Sequence, residues 1–349
     1  MKTHITIGMD LGDRDHIAVV FDANGNEVKV SKINNTKSAI MRYFNAYKNA
    51  TVAIEAGTHS PWISAVLKSM GCTVYVGNPR KLRLIWDSDD KSDERDARML
   101  AMVCRVEPRL LWPIKHRSQK AHNDLNIIKS RYVLIKSRTA LINHVRGIVK
   151  CCGERLPSCS AQSFVNRCRH LVPEQLKSAV EPVINMIEQL SSQIRQLDRG
   201  IDQLCQNHYP ETQRLQSVTG VGPLTALAYA LTIEDPNRFS KSRQVGAYLG
   251  LTPRRDQSGQ SDKQLPITKA GNRYLRQLLV SCAQYILGPF GPDSDLRRFG
   301  LSIAARGGKN AKKRAVVAVA RKLAVLLHRI WLSDEDYQPF YQRHLSRAA

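Results

Sequence analysis

The sequence has no stretch apolar enough to cross a bilayer: its best run, Ala315 to Leu327, is broken by Arg321 and Lys322 and falls short of a spanning length. No secretory signal peptide, lipid-anchoring signal or amphipathic N-terminal anchor is legible, and the eight cysteines include no C-x-x-C pair. Cys151, Cys152, Cys159, Cys168 and His170 gather in one segment, but their spacings fit no zinc module. The expectation is a reduced, cytosolic protein with no membrane partner. Acidic charge is in short supply. Against 53 Lys and Arg stand only 30 Asp and Glu, a formal +23 spread along the chain rather than packed into one tail. That surplus calls for a polyanion, and nucleic acid fits it better than an anionic membrane. At 349 residues, two or three domains are expected.

The acids that are present fall at informative places. Ile5, Ile7 and Met9 alternate before Asp10, a second apolar run covers His16 to Phe21, and Asp22 to Asn26 reads as a turn before a third strand from Glu27 to Val30. Asn35 is placed as the N-cap of a helix through Ala46. Thr51 to Ile54 reads as a fourth strand, Pro61 to Met70 as a helix and Thr73 to Val76 as a fifth strand. Three strands in a meander, then helix, strand, helix, strand, resembles the element order of RNase H and RuvC-like nucleases. Asp10 ends the first strand and Glu55 the fourth, so adjacent central strands would bring both to one rim. Asp93 and Asp96, three apart at the start of a helix to about Val106, share a face. Four hard oxygen donors suit Mg²⁺, and two such ions about 4 Å apart serve phosphodiester displacement. The competing role for Asp93 and Asp96 is to complement the helix dipole, and Asp89, Asp90 and Glu94 crowd the segment and leave its register open.

From Ser118 to Val149 the chain has no proline and no glycine before Gly147, with Leu125, Ile128, Tyr132, Ile135, Leu141 and Val145 near helical spacing. Lys129, Arg131, Lys136 and Arg138 ride on this helix, as a solvated face or as a track for nucleic acid. Cys151 to Val172 loses periodicity and reads as a linker or loop. Pro173 opens a second helix to about Gln206, where Val180, Val183, Ile187, Leu190, Ile194, Leu197, Ile201 and Leu204 form a heptad-like stripe. Whether the stripe packs on the preceding helix or on another subunit is left open.

Beyond it, Gln216 to Ala228 resembles a helix-hairpin-helix turn: Gly220 and Gly222 permit the turn, Pro223 suits a first helical position, and the helix start offers N–H groups to a phosphate. Between Gly246 and Arg276 a single frame stands out. Gly-Leu-Thr-Pro is followed by Ser258-Gly259 in a segment read as a loop, then by Ile-Thr-Lys-Ala-Gly-Asn and a helix from Asn272 to Leu287. Arg254, Arg255, Lys263 and Lys269 surround the serine, and Arg273 and Arg276 stand near the start of the helix. Gly259 frees the backbone beside a hydroxyl that a phosphate can approach. Further on, Arg306 to Arg314 feeds a final helix from about Ala311 to Trp331 whose first turn is cationic. The helix dipole disfavours that charge, and an anion bound there would relieve it, which marks Lys309, Lys312, Lys313 and Arg314 as DNA contacts.

The serine frame resembles the C-terminal transposase domain of the insertion sequence one-ten family, and the carboxylate set at Asp10, Glu55, Asp93 and Asp96 resembles that family's DEDD motif. The resemblance covers nearly the whole chain. It implies an α/β RuvC/RNase H-like domain over residues 1–150, a linker and coiled-coil helix over 151–208, and a mainly α transposase domain over 209–349. It further implies that Ser258 attacks a phosphodiester to form a covalent phosphoserine link, assisted by Mg²⁺ on the four carboxylates in a composite site shared between subunits. A bridge RNA, donor and target DNA, and a homodimer or homotetramer are the implied partners, and the bacterial cytoplasm at the nucleoid is the implied setting. A serine hydroxyl is a weak nucleophile at neutral pH. No histidine lies near Ser258 in the sequence, so metal held by distant carboxylates is a coherent activator; Ser261 is the alternative nucleophile. The rival reading is a RuvC-type junction nuclease that hydrolyses DNA with water. A non-catalytic nucleic-acid scaffold leaves the spaced carboxylates unexplained.

Overall fold

The computed structural model describes residues 5–82, 92–259 and 261–340, without the side chains of 261–264. The chain divides into two compact units, Met1–Ser118 and Gln119–Ala349.

In the first unit, β1 (Thr6–Leu11), β2 (Asp15–Phe21) and β3 (Glu27–Asn34) form the meander, followed by α1 (Lys37–Phe44), β4 (Thr51–Glu55), α2 (Ser60–Ser69), β5 (Thr73–Gly77) and α3 (Asp93–Val106). The five strands make one sheet in the order β3-β2-β1-β4-β5, antiparallel through the meander and parallel from β1 to β4 to β5. Strand β3 runs four residues past Val30. The cap of α1 is Thr36, not Asn35: its hydroxyl accepts from the Ala39 N–H at 3.2 Å, while the Asn35 amide donates to the Asp13 carbonyl at 2.8 Å. Alternation gives the sheet two covered faces. Ile7, Met9, Ala18, Val20, Val52 and Ile54 pack with Ile40, Phe44, Ile63 and Leu67 of α1 and α2. On the other face Val19 and Phe21 pack with Ala97 and Ala101 of α3, and Ala53 packs with Leu100 and Cys104. Helix α3 lies so close that a Cβ on Gly8 would be driven into the Ala97 carbonyl and the Ala101 amide.

The second unit begins with the helical pair α4 (Gln119–Cys151) and α6 (Glu174–Asn207), with the short α5 (Phe164–Cys168) between them. The sequence attaches α4 to the first domain; its packing attaches it to the second unit, against α6. The pair is antiparallel, as the Arg131–Asp198 and Arg138–Ser191 contacts require. The stripe on α6 therefore packs within the chain, but by halves: Val180, Ile187, Ile194 and Ile201 are buried, whereas Val183, Leu190, Leu197 and Leu204 stay partly exposed. The seam is apolar at both ends and polar in the middle, where Arg138 is buried. One of its guanidinium nitrogens reaches the Ser191 hydroxyl at 3.3 Å, its Nε has no partner, and burial lowers its pKa. The segment read as a linker or loop is irregular over residues 152–163, but it is packed rather than a free linker. Phe164, Val165, Cys168 and Val172 join Val145, Val149, Val180 and Ile184 in a core of their own, and Arg146 donates to the Leu156 and Pro157 carbonyls. So few apolar residues, without a helical period, give no pattern from which such packing is legible.

After α6 come α7 (Glu211–Gln216), α8 (Pro223–Ile233), α9 (Arg243–Tyr248), the hairpin β6 (Pro253–Ser258) and β7 (Ser261–Ile267), then α10 (Arg273–Leu287), α11 (Asp295–Ala304) and α12 (Ala311–Ser333). Helix α8 is apolar all round and buried from Thr225 to Ile233, as befits the central helix of a layered core. Its Tyr229 hydroxyl is satisfied by the Ala324 carbonyl of α12 at 2.7 Å. One turn on, His328 is fully buried, with its ring nitrogens 2.9 Å from the Pro236 carbonyl and 3.0 Å from the Ser242 hydroxyl. Among the described residues no helix is long and apolar enough to cross a membrane.

Two outcomes follow. Gly8→Ala should destabilise the protein by about 1–3 kcal/mol, because α3 must shift, whereas Gly57→Ala, with open space around its Cβ, should stay within about 0.5 kcal/mol; thermal melts compare the two. Burial holds the pKa of His16 and His328 below the ordinary value of 6.5, so below that pH the unfolded chain binds more protons. Stability should be flat above it and fall as pH drops, with a slope of at most about 1.4 kcal/mol per pH unit for each histidine. Replacing His328 by Gln should flatten that fall in a pH series of melts.

Candidate active site

The carboxylate rim follows from the register of β1 and β4. Met9 pairs with Ile54, so Asp10 and Glu55 are the next residues along two adjacent parallel strands. Alternation puts both on the face of Gly8 and Ala53, the face covered by α3. The direction of α3 is set at its far end, where Arg105 donates to the carbonyls of Asp22 and Ala23 at the β2–β3 turn. Its first turn, with Asp93 and Asp96, is therefore aimed at the rim. Ser92 caps it by accepting from the Arg95 N–H at 3.2 Å. Asp10, Glu55 and Asp96 are half-buried and Asp93 is exposed. Glu94, which crowds the same turn, is held by Arg98 at 2.7 Å, and Arg98 also grips Glu27 at 2.6 Å, lowering the pKa of Glu27 through that hydrogen bond. Asp89 and Asp90 lie outside the described residues. Among the described residues, no three His, Cys, Asp or Glu side chains gather closely enough to cage a metal ion.

A polar network that the sequence does not advertise braces the turn after Asp10. His16, fully buried in β2, meets the Asn35 amide oxygen at 3.1 Å; the Asn35 nitrogen lies 3.3 Å from the His59 ring, which in turn lies 3.4 Å from Asp13. The one signal for it is a histidine at the head of an otherwise apolar strand.

In the second unit Ser258 is not in a loop. It ends β6 and pairs with Ser261, leaving two residues at the hairpin tip, and Gly259 takes the positive φ of +55° that such a turn asks of glycine. Nothing lies within 4 Å of a Cβ placed there, so glycine serves the backbone rather than the space. Strand alternation puts Asp256 on the same face as Ser258, a neighbour that a loop reading gives no role. The rest of the frame holds the hairpin base. Gly250 (φ +67°) and Gly271 (φ +66°) let the two arms cross: a Cβ on the first would strike the Ala270 backbone, and one on the second the Tyr248 carbonyl. Lys269 donates its N–H to the Gly250 carbonyl at 3.1 Å from a left-handed conformation of φ +54°, and Asn272 caps α10 by accepting from the Tyr274 and Leu275 N–H groups.

The basic residues divide. Arg254, Arg255, Lys269 and Arg273 are exposed around the hairpin, and Lys309, Lys312, Lys313 and Arg314 are exposed at the start of α12, whose cap Asn310 makes no side-chain hydrogen bond. The side chain of Lys263 lies outside the described residues. Arg276 turns inward and is largely withdrawn from solvent. Buried beneath the crossing, it donates to the Leu249 carbonyl at 3.0 Å and the Ala270 carbonyl at 2.6 Å, so it clamps the hairpin base. Gly220 also has an internal duty, since a Cβ there would press on Tyr285 of α10; Gly222 is exposed at the start of α8.

Comparison with known proteins matches both halves. Residues 7–152 match a family described as a transposase, the DEDD group of IS110 elements, and residues 212–295 match the transposase family of IS116, IS110 and IS902. A probable family 20 transposase of Pseudomonas aeruginosa is 27% identical over 346 residues, covering 95% of this chain and 98% of that one. The transposase for insertion sequence element IS1111A of Coxiella burnetii is 28% identical, covering 83% and 80%. A pilin gene-inverting protein of Moraxella bovis is 28% identical over 245 residues, covering 69% and 66%.

The division of the arginines is measurable. Arg276→Ala strips two buried carbonyls of their donor and should cost about 2–4 kcal/mol in denaturant unfolding. Arg273→Ala should leave stability within about 0.5 kcal/mol and instead reduce the salt dependence of nucleic-acid binding by roughly one phosphate contact.

Proposed function

We propose that this chain, which belongs to the IS110/IS116/IS902 transposase family, cuts and rejoins DNA through a phosphodiester link to Ser258. The observation that carries the reading is the placement of Ser258: exposed at the tip of a hairpin whose base is fixed by Gly250, Gly271 and Arg276, among exposed arginines. In the first exchange the serine oxygen replaces one sugar oxygen on phosphorus, and the freed sugar hydroxyl takes up a proton as the serine gives one away. In the second a DNA hydroxyl attacks the phosphoserine and releases the serine. No bond energy is lost across the pair, which suits rejoining without a nucleotide cofactor. Exposed cations around the hairpin offset the charge that repels an incoming oxygen from a phosphodiester.

The fold of the first unit, in this reading, is of the RuvC/RNase H type, and Asp10, Glu55, Asp93 and Asp96 hold Mg²⁺. The donor set fits: hard oxygens on one rim of a sheet, at a helix start. They are spread along the rim rather than caged, which suits ions that also need substrate phosphate among their ligands. Bound there, the metal supplies Lewis-acid stabilisation for the attacking and leaving oxygens. The partly exposed Val183, Leu190, Leu197 and Leu204 of α6, seven residues apart, suit a coiled-coil contact with a second copy in a dimer or tetramer. The +23 charge and the cationic starts of α10 and α12 suit donor and target DNA together with a structured guide RNA. Gly222 at the exposed start of α8 offers a phosphate site of the helix-hairpin-helix kind. The Moraxella relative named for pilin gene inversion fits recombination that conserves both strands.

Ser258→Ala should abolish protein-linked DNA in a denaturing pull-down while leaving DNA and RNA binding within about twofold. Asp10→Asn and Glu55→Gln should lower recombination at least about a hundredfold, and chelating Mg²⁺ should do the same to the wild type. Protein-linked DNA that persists in Ser258→Ala would move the nucleophile, with Ser261 next in line; free cleaved ends with no protein attached would replace the recombinase with a nuclease.

A further inference from the structure

Beside the hairpin base runs an open groove of about 960 Å³ between α4 and α10, lined by Tyr132, Ile135, Ile267, Lys269, Arg273 and Tyr274, with Gln277 and Ser281 on its rim. Two features set it apart from an ordinary cleft. Its floor is aromatic: the rings of Tyr132 and Tyr274 lie 4.3 Å apart at 43°, both half-buried, and the Tyr132 hydroxyl donates to the Gln277 amide oxygen at 3.2 Å, which fixes the ring in place. Its walls are cationic: Lys269 and Arg273 are exposed at the groove's edge, and the Lys136 ammonium lies over the Tyr132 ring at 4.7 Å, covering the face on which another planar group can stack.

We propose that this groove stacks an unpaired nucleotide of a single strand. A flat base fits against Tyr132 and Tyr274, Lys136 swings from the ring to a phosphate, and Lys269 and Arg273 take neighbouring phosphates, the combination of aromatic platform and positive track by which unpaired strands are held. Duplex has no free base face to offer such a floor. The groove's position gives the site a use, one that rests on the serine reading above. Ile267 in its wall pairs with Pro253 at the hairpin base, and Ser258 lies five residues along the same strand. At about 3.4 Å per residue the serine is roughly 17 Å away, on the order of five stacked base steps. A base held there would keep a strand parted from its complement a few nucleotides from the phosphate that Ser258 attacks.

The test uses the full chain with fluorescent 20-mer oligonucleotides in three forms: single-stranded DNA, single-stranded RNA and duplex DNA. Tyr132→Leu and Tyr274→Leu should each weaken single-strand binding about tenfold and duplex binding less than twofold, whereas Tyr274→Phe, which keeps the ring, should bind as wild type. Ser281→Trp, a change on the exposed rim that leaves the core untouched, should block the groove with the same selectivity; it covers the event that a tyrosine variant misfolds. Loss confined to the RNA or to the DNA strand identifies the natural occupant. Equal loss for single strand and duplex, or none in Ser281→Trp and the Leu variants, overturns the proposal. The covalent-adduct assay is independent: an adduct in wild type with no selective loss sinks the groove alone, and selective loss without any adduct sinks the serine reading and leaves the groove.

Discussion

The close approach of α3 to the sheet at Gly8 sets the geometry of the first unit. Only a residue without a side chain admits the Ala97 carbonyl against β1, and that contact fixes both the height of the helix and its path toward the strand ends. The Arg105 contacts at one end then decide which way the helix runs. Two carboxylates stand at the ends of strands and two in the first turn of the helix, and the approach of that helix to the sheet depends on a methyl group that is missing two residues before Asp10.

The hairpin in the second unit is positioned by the same means. Five residues of exposed polar strand cannot hold themselves upright by burial, so the order comes from below, where Gly250 and Gly271 let two backbones cross and Arg276 ties both arms. The glycines and the arginine of the frame are thus a mount, and Ser258 is what it carries.

The parts legible in the sequence are those where burial imposes a period. The meander, the two parallel strands, α3 and the long helices all carry alternating or helical apolar patterns, and the strand end at Glu55 came with them, whereas β1 runs one residue past Asp10 to Leu11. The hairpin reads as a loop in the sequence because Pro253 to Ser258 has no buried face, so the two-residue period that betrays a strand is absent. Arg276 passes in the sequence for a surface cation because charge announces itself there and direction does not; it lies on the buried stripe of α10 with Leu275 and Leu279. The break at Ser118 is hidden for a related reason: α4 follows the first unit in the chain, but the helix that covers it, α6, arrives only after an intervening segment.

The buried Arg138 has a mechanical consequence. A seam of leucines and isoleucines alone tolerates sliding by a turn or a heptad, since one apolar contact replaces another. With a guanidinium between two apolar ends, each such slip drives a charge into a hydrocarbon layer and costs several kcal/mol. The α4–α6 pair is therefore locked in register and behaves as a strut rather than a zipper. Its 33-residue first helix spans about 50 Å, so a register fixed at Arg138 holds along a bar that also carries Tyr132.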